Sequence, residues 1–435
     1  MVPMRSHVLF FCAALSLARA QAPAPGEHWV ATWATAQQLY RAGGGGRGAP
    51  VAPAAPLPQT PPPPVQGPQR RFPVPPPLQN LNNQTIRMMA RTSIGGRTVR
   101  VRLSSALGSP EVELGAAHIA IRARDSAIVP GTDRPLTFGG NRAATIYAGE
   151  TLLSDPVKLD LPPLTEVAVS LYLPGETGVP TSHTFALHTT YISKEGDFTG
   201  QPEIADPATT RESYYWLAGI DVLAPAGAGA LVTFGDSITD GDQSTHETDG
   251  MWPAVLAARL QSNKATSHVA VVNAGISGNR VLGNNGSGLA RLYHDALSQP
   301  GIRWMTILEG INDITGGSRD LPGAKKITAE ALIAAYRQMI DAAHMYGVKV
   351  IGCTLTPYAG SNVYTAYGEQ VRETVNQWIR TGGAFDAVVD FEAATRDPKD
   401  PRRYRAEADS PDMLHPANPG YKLMGDAVDL KIFRK

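Results

Sequence analysis

The hydrophobic and polar positions of this chain follow two different periods, one on each side of about residue 229. Between residues 84 and 193, short runs such as TIRMMARTS, RTVRVRLSS and VAVSLYLP alternate apolar with polar or small residues and end in turn formers. Alternation with a period of two is typical of half-buried strands in antiparallel sheets. We therefore expect an antiparallel β-sandwich domain over residues 79–200, followed by a connecting segment over residues 201–228.

From residue 229 onward, apolar strand candidates alternate with helical stretches. The strand candidates are residues 231–234, 269–273, 305–308, 348–354 and 387–390. The clearest helix candidate covers residues 327–346, where apolar residues recur at helical spacing on one face. Strands separated by helices predict a parallel sheet with helices on both faces. Residues 229–435 are accordingly expected to form an α/β domain.

The first 78 residues contain two segments of biased composition. Residues 1–20 combine an early arginine, an apolar stretch and the small-x-small sequence Ala18-Arg19-Ala20, which is typical of a secretory signal peptide cleaved after Ala20. The protein is therefore expected to be secreted or periplasmic. An N-terminal segment, residues 21–41, precedes a Pro/Gly-rich stretch at residues 42–78, which we interpret as a disordered insertion. Beyond the signal peptide, no apolar run predicts a membrane span.

The net charge and the cysteine content bear on which partners and which covalent cross-links the protein can be expected to have. The chain has 39 lysines and arginines and 39 aspartates and glutamates, so its charge balance gives no reason to expect nucleic acid or an anionic membrane as a partner. Cys12 lies in the predicted signal peptide, which leaves Cys353 as the one cysteine of the mature chain. An intramolecular disulfide is therefore not expected.

Three polar, glycine-containing motifs each follow one of the predicted parallel strands. FGDSITDG contains Ser237, NAGISGNR contains Gly278, and LEGINDI contains Asn312. The carboxyl ends of parallel strands lie at the same edge of a sheet, and that edge is where open α/β sheets bind ligands. The three motifs are therefore expected to meet in space.

A fourth motif, DMLHP, supplies the groups that a serine nucleophile needs. Asp412 and His415 are close enough on one turn for the carboxylate to orient the imidazole, which can then take the proton of Ser237. Acyl transfer also needs donors for the developing oxyanion, and the candidates are the backbone N–H groups of Ser237 and Gly278 and the side-chain amide of Asn312. Among other polar residues, Asp236 and Asp313 are expected to fix loop backbones, and His183 and His188 lack nearby carboxylates at the spacing of metal ligands.

The four motifs GDSITDG, NAGISGN, EGIND and DMLHP together resemble the signature blocks of the SGNH (GDSL) hydrolase family. The resemblance covers about residues 229–435 and implies a three-layer α/β/α fold similar to flavodoxin. It implies that Ser237 is the nucleophile and first oxyanion donor, that Gly278 and Asn312 complete the oxyanion hole, and that His415 is the base oriented by Asp412. It implies neither a metal nor an organic cofactor.

The N-terminal half, with WVATWATAQQ, RTSIGGRTVRVRLS and LTFGG, resembles a secreted bacterial subgroup that includes proteins of xylan-degrading systems. The resulting hypothesis is a secreted serine esterase that removes acetyl or other short acyl groups from plant polysaccharide. The alternative within hydrolases is a lysophospholipase or another lipid or aryl esterase. The alternative from another class is a catalytically inactive carbohydrate-binding protein.

Overall fold

The computed structural model describes residues 25–39, 78–107, 110–283, 286–318 and 326–434. The predicted signal peptide and all but the last residue of the predicted Pro/Gly-rich insertion lie outside these ranges.

The N-terminal half consists of short strands, as the alternation predicts. They are β1 (Glu27–Ala34), β2 (Gln38–Leu39), β3 (Gln84–Arg91), β4 (Gly96–Ser104), β5 (Val112–Leu114), β6 (Ala116–Arg124), β7 (Ala127–Ile128), β8 (Arg134–Pro135), β9 (Ala144–Ile146), β10 (Thr151–Leu153), β11 (Val157–Leu161), β12 (Glu166–Leu173), β13 (Thr181–His183), β14 (Thr190–Glu195), β15 (Thr209–Arg211), β16 (Tyr214–Tyr215) and β17 (Leu217–Pro225).

These strands pair in two larger and two smaller antiparallel sheets, which confirms the predicted strand type. One large sheet has the order β1-β17-β4-β10 with β11 also on β4, and the other has the order β15-β14-β3-β12-β6-β7 with β8 also on β6. The smaller sheets are β16-β13-β2 and β5-β9. Apolar side chains from both large sheets, including Val101 of β4 and Val169 of β12, are buried in one shared core. We call this part of the chain, with all seventeen strands, the antiparallel region.

Residues 201–228, predicted to connect the two domains, instead contribute three strands to the antiparallel region. β17 pairs with β1 on one side and with β4 on the other, so β1 from the predicted N-terminal segment also belongs to this sheet. Asp221 of β17 lies between Ile220 and Val222, whose side chains are in the shared core, and is itself fully buried against Arg100 at 2.9 Å and Arg102 at 3.0 Å. The other face of β17 is therefore buried too, with a paired carboxylate where alternation predicts a polar residue exposed to solvent.

The C-terminal half alternates strands and helices. Its elements are β18 (Gly229–Gly235), α1 (Ser237–Asp240), α2 (Trp252–Ser262), β19 (Val269–Gly275), α3 (Gly288–Leu292), β20 (Ile302–Leu308), α4 (Ile311–Gly317), α5 (Ala329–Met345), β21 (Lys349–Cys353), α6 (Ala366–Thr381), β22 (Ala387–Val389), α7 (Phe391–Thr395) and α8 (Asn418–Ala427). A π-helical turn covers Tyr293–Leu297, and a 3₁₀ turn covers Leu430–Phe433.

The five strands of this half form a parallel sheet in the order β19-β18-β20-β21-β22, which confirms the predicted α/β architecture. The helices form two groups, because α8 packs on α2 and α7, whereas α5 packs on α3 and α6. The predicted long helix is α5, and its apolar stripe, including Leu332, Met339 and Ile340, is buried in the core. Thr328 caps this helix by accepting a hydrogen bond from the Ala331 N–H.

The antiparallel region packs directly against the parallel sheet. Strand β1 lies against β19, and the Val271 N–H of β19 donates to Ser93 Oγ at 2.9 Å. Arg102 donates to Gln299 Oε1 at 2.7 Å. Within the described ranges, no helix has both the length and the apolar character that crossing a membrane requires.

Candidate active site

Ser237 lies just beyond the carboxyl end of strand β18, as the first residue of helix α1. Asp236 caps this helix, because its Oδ1 accepts a hydrogen bond of 3.0 Å from the Ile238 N–H. The chain can approach strand β20 closely here because residue 235 is glycine, where a Cβ would lie 2.3 Å from the Leu308 carbonyl oxygen. The Ser237 hydroxyl is thereby placed at the edge of the sheet that the sequence predicts.

Ser237, His415 and Asp412 form a continuous chain of side-chain hydrogen bonds. Ser237 Oγ is 2.8 Å from His415 Nε2, although the two residues are 178 positions apart in the sequence. On the other side of the ring, His415 Nδ1 is 2.7 Å from Asp412 Oδ2. A carboxylate can only accept, so the proton of a neutral imidazole lies on Nδ1, and Nε2 can accept the seryl proton. The structure therefore brings together the three residues that the sequence predicts as a triad.

The turn that carries Asp412 is organised around its second carboxylate oxygen. Oδ1 accepts three hydrogen bonds of 2.9 Å, from Ser410 Oγ and from the N–H groups of Leu414 and His415. Met413, which lies between Asp412 and Leu414 in the sequence, has a left-handed φ of 54°. Burial by itself would raise the pKa of Asp412, but the hydrogen bond and charge of His415 and the two backbone N–H groups lower that pKa well below its usual range. The carboxylate therefore stays ionised.

A second carboxylate lies near the same imidazole. Asp242 Oδ2 is 3.9 Å from His415 Nε2. Burial alone lowers the pKa of His415, whereas the hydrogen bond to Asp412 and the negative charges of Asp242, Asp412 and Asp236 raise it, and the net result is a raised pKa. An imidazolium formed at this position is thus electrostatically stabilised.

The candidate oxyanion donors of the second and third motifs are held beside each other. Gly278 follows β19 and has a left-handed φ of 78°, a conformation that glycine adopts without strain. Asn312 lies in the first turn of α4, and its Nδ2 donates to the Asn279 carbonyl oxygen at 2.9 Å. Because a side-chain amide carries two hydrogens, Asn312 can donate the second one to a substrate.

Residues 233–423 match the model of the GDSL-like lipase/acylhydrolase family. This match covers all four motifs that surround Ser237. The C-terminal half of the chain is a GDSL-like acylhydrolase domain. Members of this family are esterases and acylhydrolases, and we refer to this half below as the acylhydrolase domain.

Solved structures of the same family are similar to part of this chain. A G-D-S-L family protein from Desulfitobacterium hafniense is 24% identical, with 46% of this chain and 96% of that chain covered and a TM-score of 0.34. Axe2, an acetylxylan esterase from Geobacillus stearothermophilus, is 23% identical, with 46% of this chain and 91% of that chain covered and a TM-score of 0.36. A GDSL-like lipase from Bacteroides thetaiotaomicron is 18% identical, with 47% and 87% covered and a TM-score of 0.33. No curated protein matches the chain.

Arg291 of helix α3 connects the ends of strands β18 and β19 with the loop that follows β19. Its guanidinium donates to the Gly235 carbonyl oxygen at 2.8 Å, to the Ala274 carbonyl oxygen at 2.7 Å and to Asn279 Oδ1 at 2.7 Å. The same group stacks on the ring of Phe234 at 3.9 Å from its centroid. One buried side chain therefore holds the ends of two strands and the loop beside Gly278. The sequence around Arg291, GLARLYHD, gives no sign of this role.

Three buried carboxyl groups lie under the same loops. Burial raises the pKa of Asp236 to about 7, that of Glu309 to about 8 and that of Asp313 to about 6. Asp313 accepts hydrogen bonds from the N–H groups of Val281 at 2.8 Å and Leu282 at 3.0 Å. Together with the cap made by Asp236, these bonds confirm that the two aspartates fix loop backbones.

Two histidines of the antiparallel region, His183 and His188, have carboxylate partners that lie far from them in the sequence. His183 Nε2 is 3.0 Å from Asp240 Oδ1. His188 lies 3.2 Å from Glu247 Oε2 and 3.0 Å from Asp249 Oδ1. All three carboxylates belong to the acylhydrolase domain and are more than 50 positions away, so local spacing could not show them. In the part of the chain that the structure describes, no group of three or more such side chains has the arrangement of a metal site.

Proposed function

We propose that this chain is a secreted serine esterase that removes acetyl and other short acyl groups from plant polysaccharide such as xylan. The family match gives the class of reaction. The mechanism rests on one observation, the continuous series of hydrogen bonds from Ser237 Oγ to His415 Nε2 at 2.8 Å and from His415 Nδ1 to Asp412 Oδ2 at 2.7 Å.

In the first half of the reaction, Ser237 Oγ attacks the ester carbonyl carbon while its proton passes to His415 Nε2. The carbonyl π electrons move onto oxygen, and the N–H groups of Ser237 and Gly278 and the amide of Asn312 stabilise that charge. Collapse of the tetrahedral intermediate breaks the bond to the alcohol oxygen, which takes the proton from His415 and leaves as the sugar hydroxyl.

In the second half, a water molecule takes the place of the alcohol. His415 accepts one proton of the water, whose oxygen attacks the acyl carbon of the ester on Ser237. The second tetrahedral intermediate releases the carboxylic acid, and Ser237 Oγ regains its proton from the imidazolium. Asp412 stays ionised throughout and holds the imidazole in the orientation that both halves need.

The preference for a small acyl group is supported by the surroundings of the triad. The exposed fractions of Ser237 and His415 are 5% and 8%, so little of either residue is open to solvent. An acetyl group needs little space beside such a hydroxyl, whereas a long acyl chain needs an extended apolar groove. The carbohydrate part of the proposal is supported by the N-terminal motifs, and secretion by the composition of residues 1–20.

The decisive experiment measures acetate release from acetylated xylan by the mature protein, beside hydrolysis of p-nitrophenyl acetate. Ser237→Ala should lose both activities, because no other hydroxyl is hydrogen-bonded to His415 among the described residues. Ser262→Ala, at an exposed serine at the end of α2, is the matched control and should keep both.

The outcomes separate the parts of the proposal. Retained activity in Ser237→Ala would contradict the proposed nucleophile. Cleavage of p-nitrophenyl acetate without acetate release from xylan would keep the mechanism and reject xylan as substrate. In a series of p-nitrophenyl esters, kcat/KM should fall beyond about four carbons, and a rise beyond eight would indicate a lipid esterase instead.

A further inference from the structure

The antiparallel region and the acylhydrolase domain together line a cavity of about 90 Å³ close to the motif of Ser237. Both parts of the chain line it with polar side chains. Those from the antiparallel region include Arg91, His183, His188 and Tyr214, and those from the acylhydrolase domain include Asp240 and Asp249. Two histidine–carboxylate contacts therefore cross between the two parts at one place.

The hydrogen-bond partners of His183 determine its protonation state. Nδ1 is 2.7 Å from the Ala36 carbonyl oxygen, and Nε2 is 3.1 Å from the Phe185 carbonyl oxygen and 3.0 Å from Asp240 Oδ1. Carbonyl oxygens and carboxylates only accept hydrogen bonds, so both ring nitrogens must donate. His183 is therefore an imidazolium, unlike His415, whose Nε2 faces a hydroxyl.

Asp240 links His183 to the loop after β19, which contains Ser277 and the candidate oxyanion donor Gly278. It is the last residue of helix α1, which begins at Ser237. Its Oδ1 pairs with His183, and its Oδ2 accepts the N–H of Ser277 at 2.9 Å. Ser277 is the residue directly before Gly278. The contact between helix and loop is tight, since a Cβ at Gly275 would lie 2.3 Å from the Asp240 nitrogen.

We propose that His183 is a positioning residue of the esterase, which holds Asp240 so that the backbone at Ser277 and Gly278 is fixed beside Ser237. This inference rests on the proposed function of Ser237 and Gly278. It means that the antiparallel region completes the active site and that the acylhydrolase domain alone has a misaligned oxyanion hole. An interaction that aligns donors for the oxyanion acts mainly in the transition state, so its loss should lower kcat more than it changes KM.

His188 offers a built-in comparison. Each of its ring nitrogens faces a carboxylate, Glu247 at Nδ1 and Asp249 at Nε2, but Asp249 is otherwise bound to Arg91 at 3.1 Å, and Glu247 is bound to Arg122 at 2.7 Å. These arginines belong to the antiparallel region, and neither carboxylate contacts the loops of Ser237 or Gly278. His188 therefore joins the two parts of the chain without reaching the active site.

The protonation of His183 also predicts a pH dependence. Burial lowers its pKa, but Asp240 and the two carbonyl oxygens raise it, and the net shift is upward. The Tyr214 ring stacks beside it at 6.2 Å, and the groups across the cavity are Arg91, His188 and Asp249, in which positive and negative charges are mixed. The imidazolium is therefore lost only as pH rises through this raised pKa, which should produce a decline in kcat on the alkaline side.

The test compares His183→Gln, Asp240→Asn and His188→Gln in the full mature protein, with p-nitrophenyl acetate as substrate. Active sites are counted by labelling Ser237 with a fluorophosphonate, so that kcat refers to folded enzyme. We expect His183→Gln and Asp240→Asn each to lower kcat about 10-fold or more, with KM changed less than about 3-fold. His183→Gln should also lose the alkaline decline, whereas His188→Gln should keep both the wild-type kcat and that decline.

The double variant His183→Gln/Asp240→Asn supplies the second readout. If the two residues act as one unit, the double variant loses no more kcat than the worse single variant. Unchanged kcat in His183→Gln, or equal losses in His183→Gln and His188→Gln that follow their thermal unfolding midpoints, would overturn the inference. If His183→Gln does not fold, the same test is made with Asp240→Asn. A lower kcat without the alkaline decline would then support the inference, and an unchanged kcat would overturn it. Ser237→Ala separates the two proposals, because activity in that variant would reject the proposed function itself.

Discussion

Replacing Asp412 by asparagine should disable the imidazole while leaving the turn intact. Three donors converge on Asp412 Oδ1, namely Ser410 Oγ and the N–H groups of Leu414 and His415. In Asp412→Asn the side-chain oxygen must stay there, because the reverse orientation would oppose an NH₂ group to both N–H donors and sacrifice hydrogen bonds of about 1 kcal/mol each. The amide NH₂ then faces His415 Nδ1.

A donor at Nδ1 forces the neutral imidazole into the wrong tautomer. Nδ1 must accept, the proton moves to Nε2, and that nitrogen can no longer take the proton of Ser237 at 2.8 Å. In other triads this change lowers kcat about 10⁴-fold, which corresponds to about 5.5 kcal/mol in the barrier. The stability should change by less than about 1 kcal/mol, because the three contacts of the turn persist.

The assay is steady-state hydrolysis of p-nitrophenyl acetate, with urea unfolding followed in parallel. Asp409→Asn is the matched control, since Asp409 lies on the same loop and accepts from the Ser410 N–H at 2.9 Å without contacting the imidazole. We expect this control to keep kcat within a few-fold of the wild type. A loss of less than about 10-fold in Asp412→Asn would refute the tautomer argument, as would an equal loss in the control.

Four further positions give independent predictions. Arg291→Met should cost about 3–5 kcal/mol in urea unfolding, since it removes the hydrogen bonds to Gly235, Ala274 and Asn279 and one of the two basic partners of the buried carboxylate of Asp295. Asn312→Ala should lower kcat for p-nitrophenyl acetate about 10²- to 10³-fold by removing an oxyanion donor. Because His415 must be neutral to act and its pKa is raised, kcat/KM should fall on acidification with a midpoint above the ordinary histidine value of about 6.5. Burial raises the pKa of the Cys353 thiol, so iodoacetamide should leave the folded enzyme active and unmodified by mass spectrometry.

Sequence patterns predicted the parts of this molecule in which local rules decide. The five parallel strands and helix α5 were predictable because their buried positions are apolar and because Thr328 is a normal helix cap. The position of Ser237 at a strand end followed from the same reasoning. The predicted triad could be named because Asp412 and His415 lie on one turn, so that only the approach to Ser237 depends on long-range folding.

Long-range polar contacts explain what the sequence did not predict. Strand β17 was not predicted, and its buried Asp221 is paired with two arginines that lie far away in the sequence. Arg291 was missed because two of its three acceptors in the loops are backbone carbonyl groups, which every residue has. The partners of His183 and His188 were missed because the carboxylates come from the other half of the chain. In each case a buried charged group is paired with groups that are distant in the sequence and come close to it only in the folded protein.

The histidines also show why the type of partner, rather than the residue, sets the chemistry. The two ring nitrogens of His415 face the Asp412 carboxylate, which only accepts, and the Ser237 hydroxyl, which can donate. His415 can therefore be neutral and serve as a base. His183 has only acceptors around its ring, so losing a proton breaks a hydrogen bond and uncovers the buried charge of Asp240. Both pKa values are raised, but only the deprotonation of His183 breaks a hydrogen bond and leaves a buried carboxylate without its charged partner. Activity should therefore be confined to the interval in which His415 is neutral and His183 is still charged. The acid limb of the kcat profile should respond to Asp412→Asn and the alkaline limb to His183→Gln, and a single variant that moves both limbs equally would show that the two histidines do not act separately.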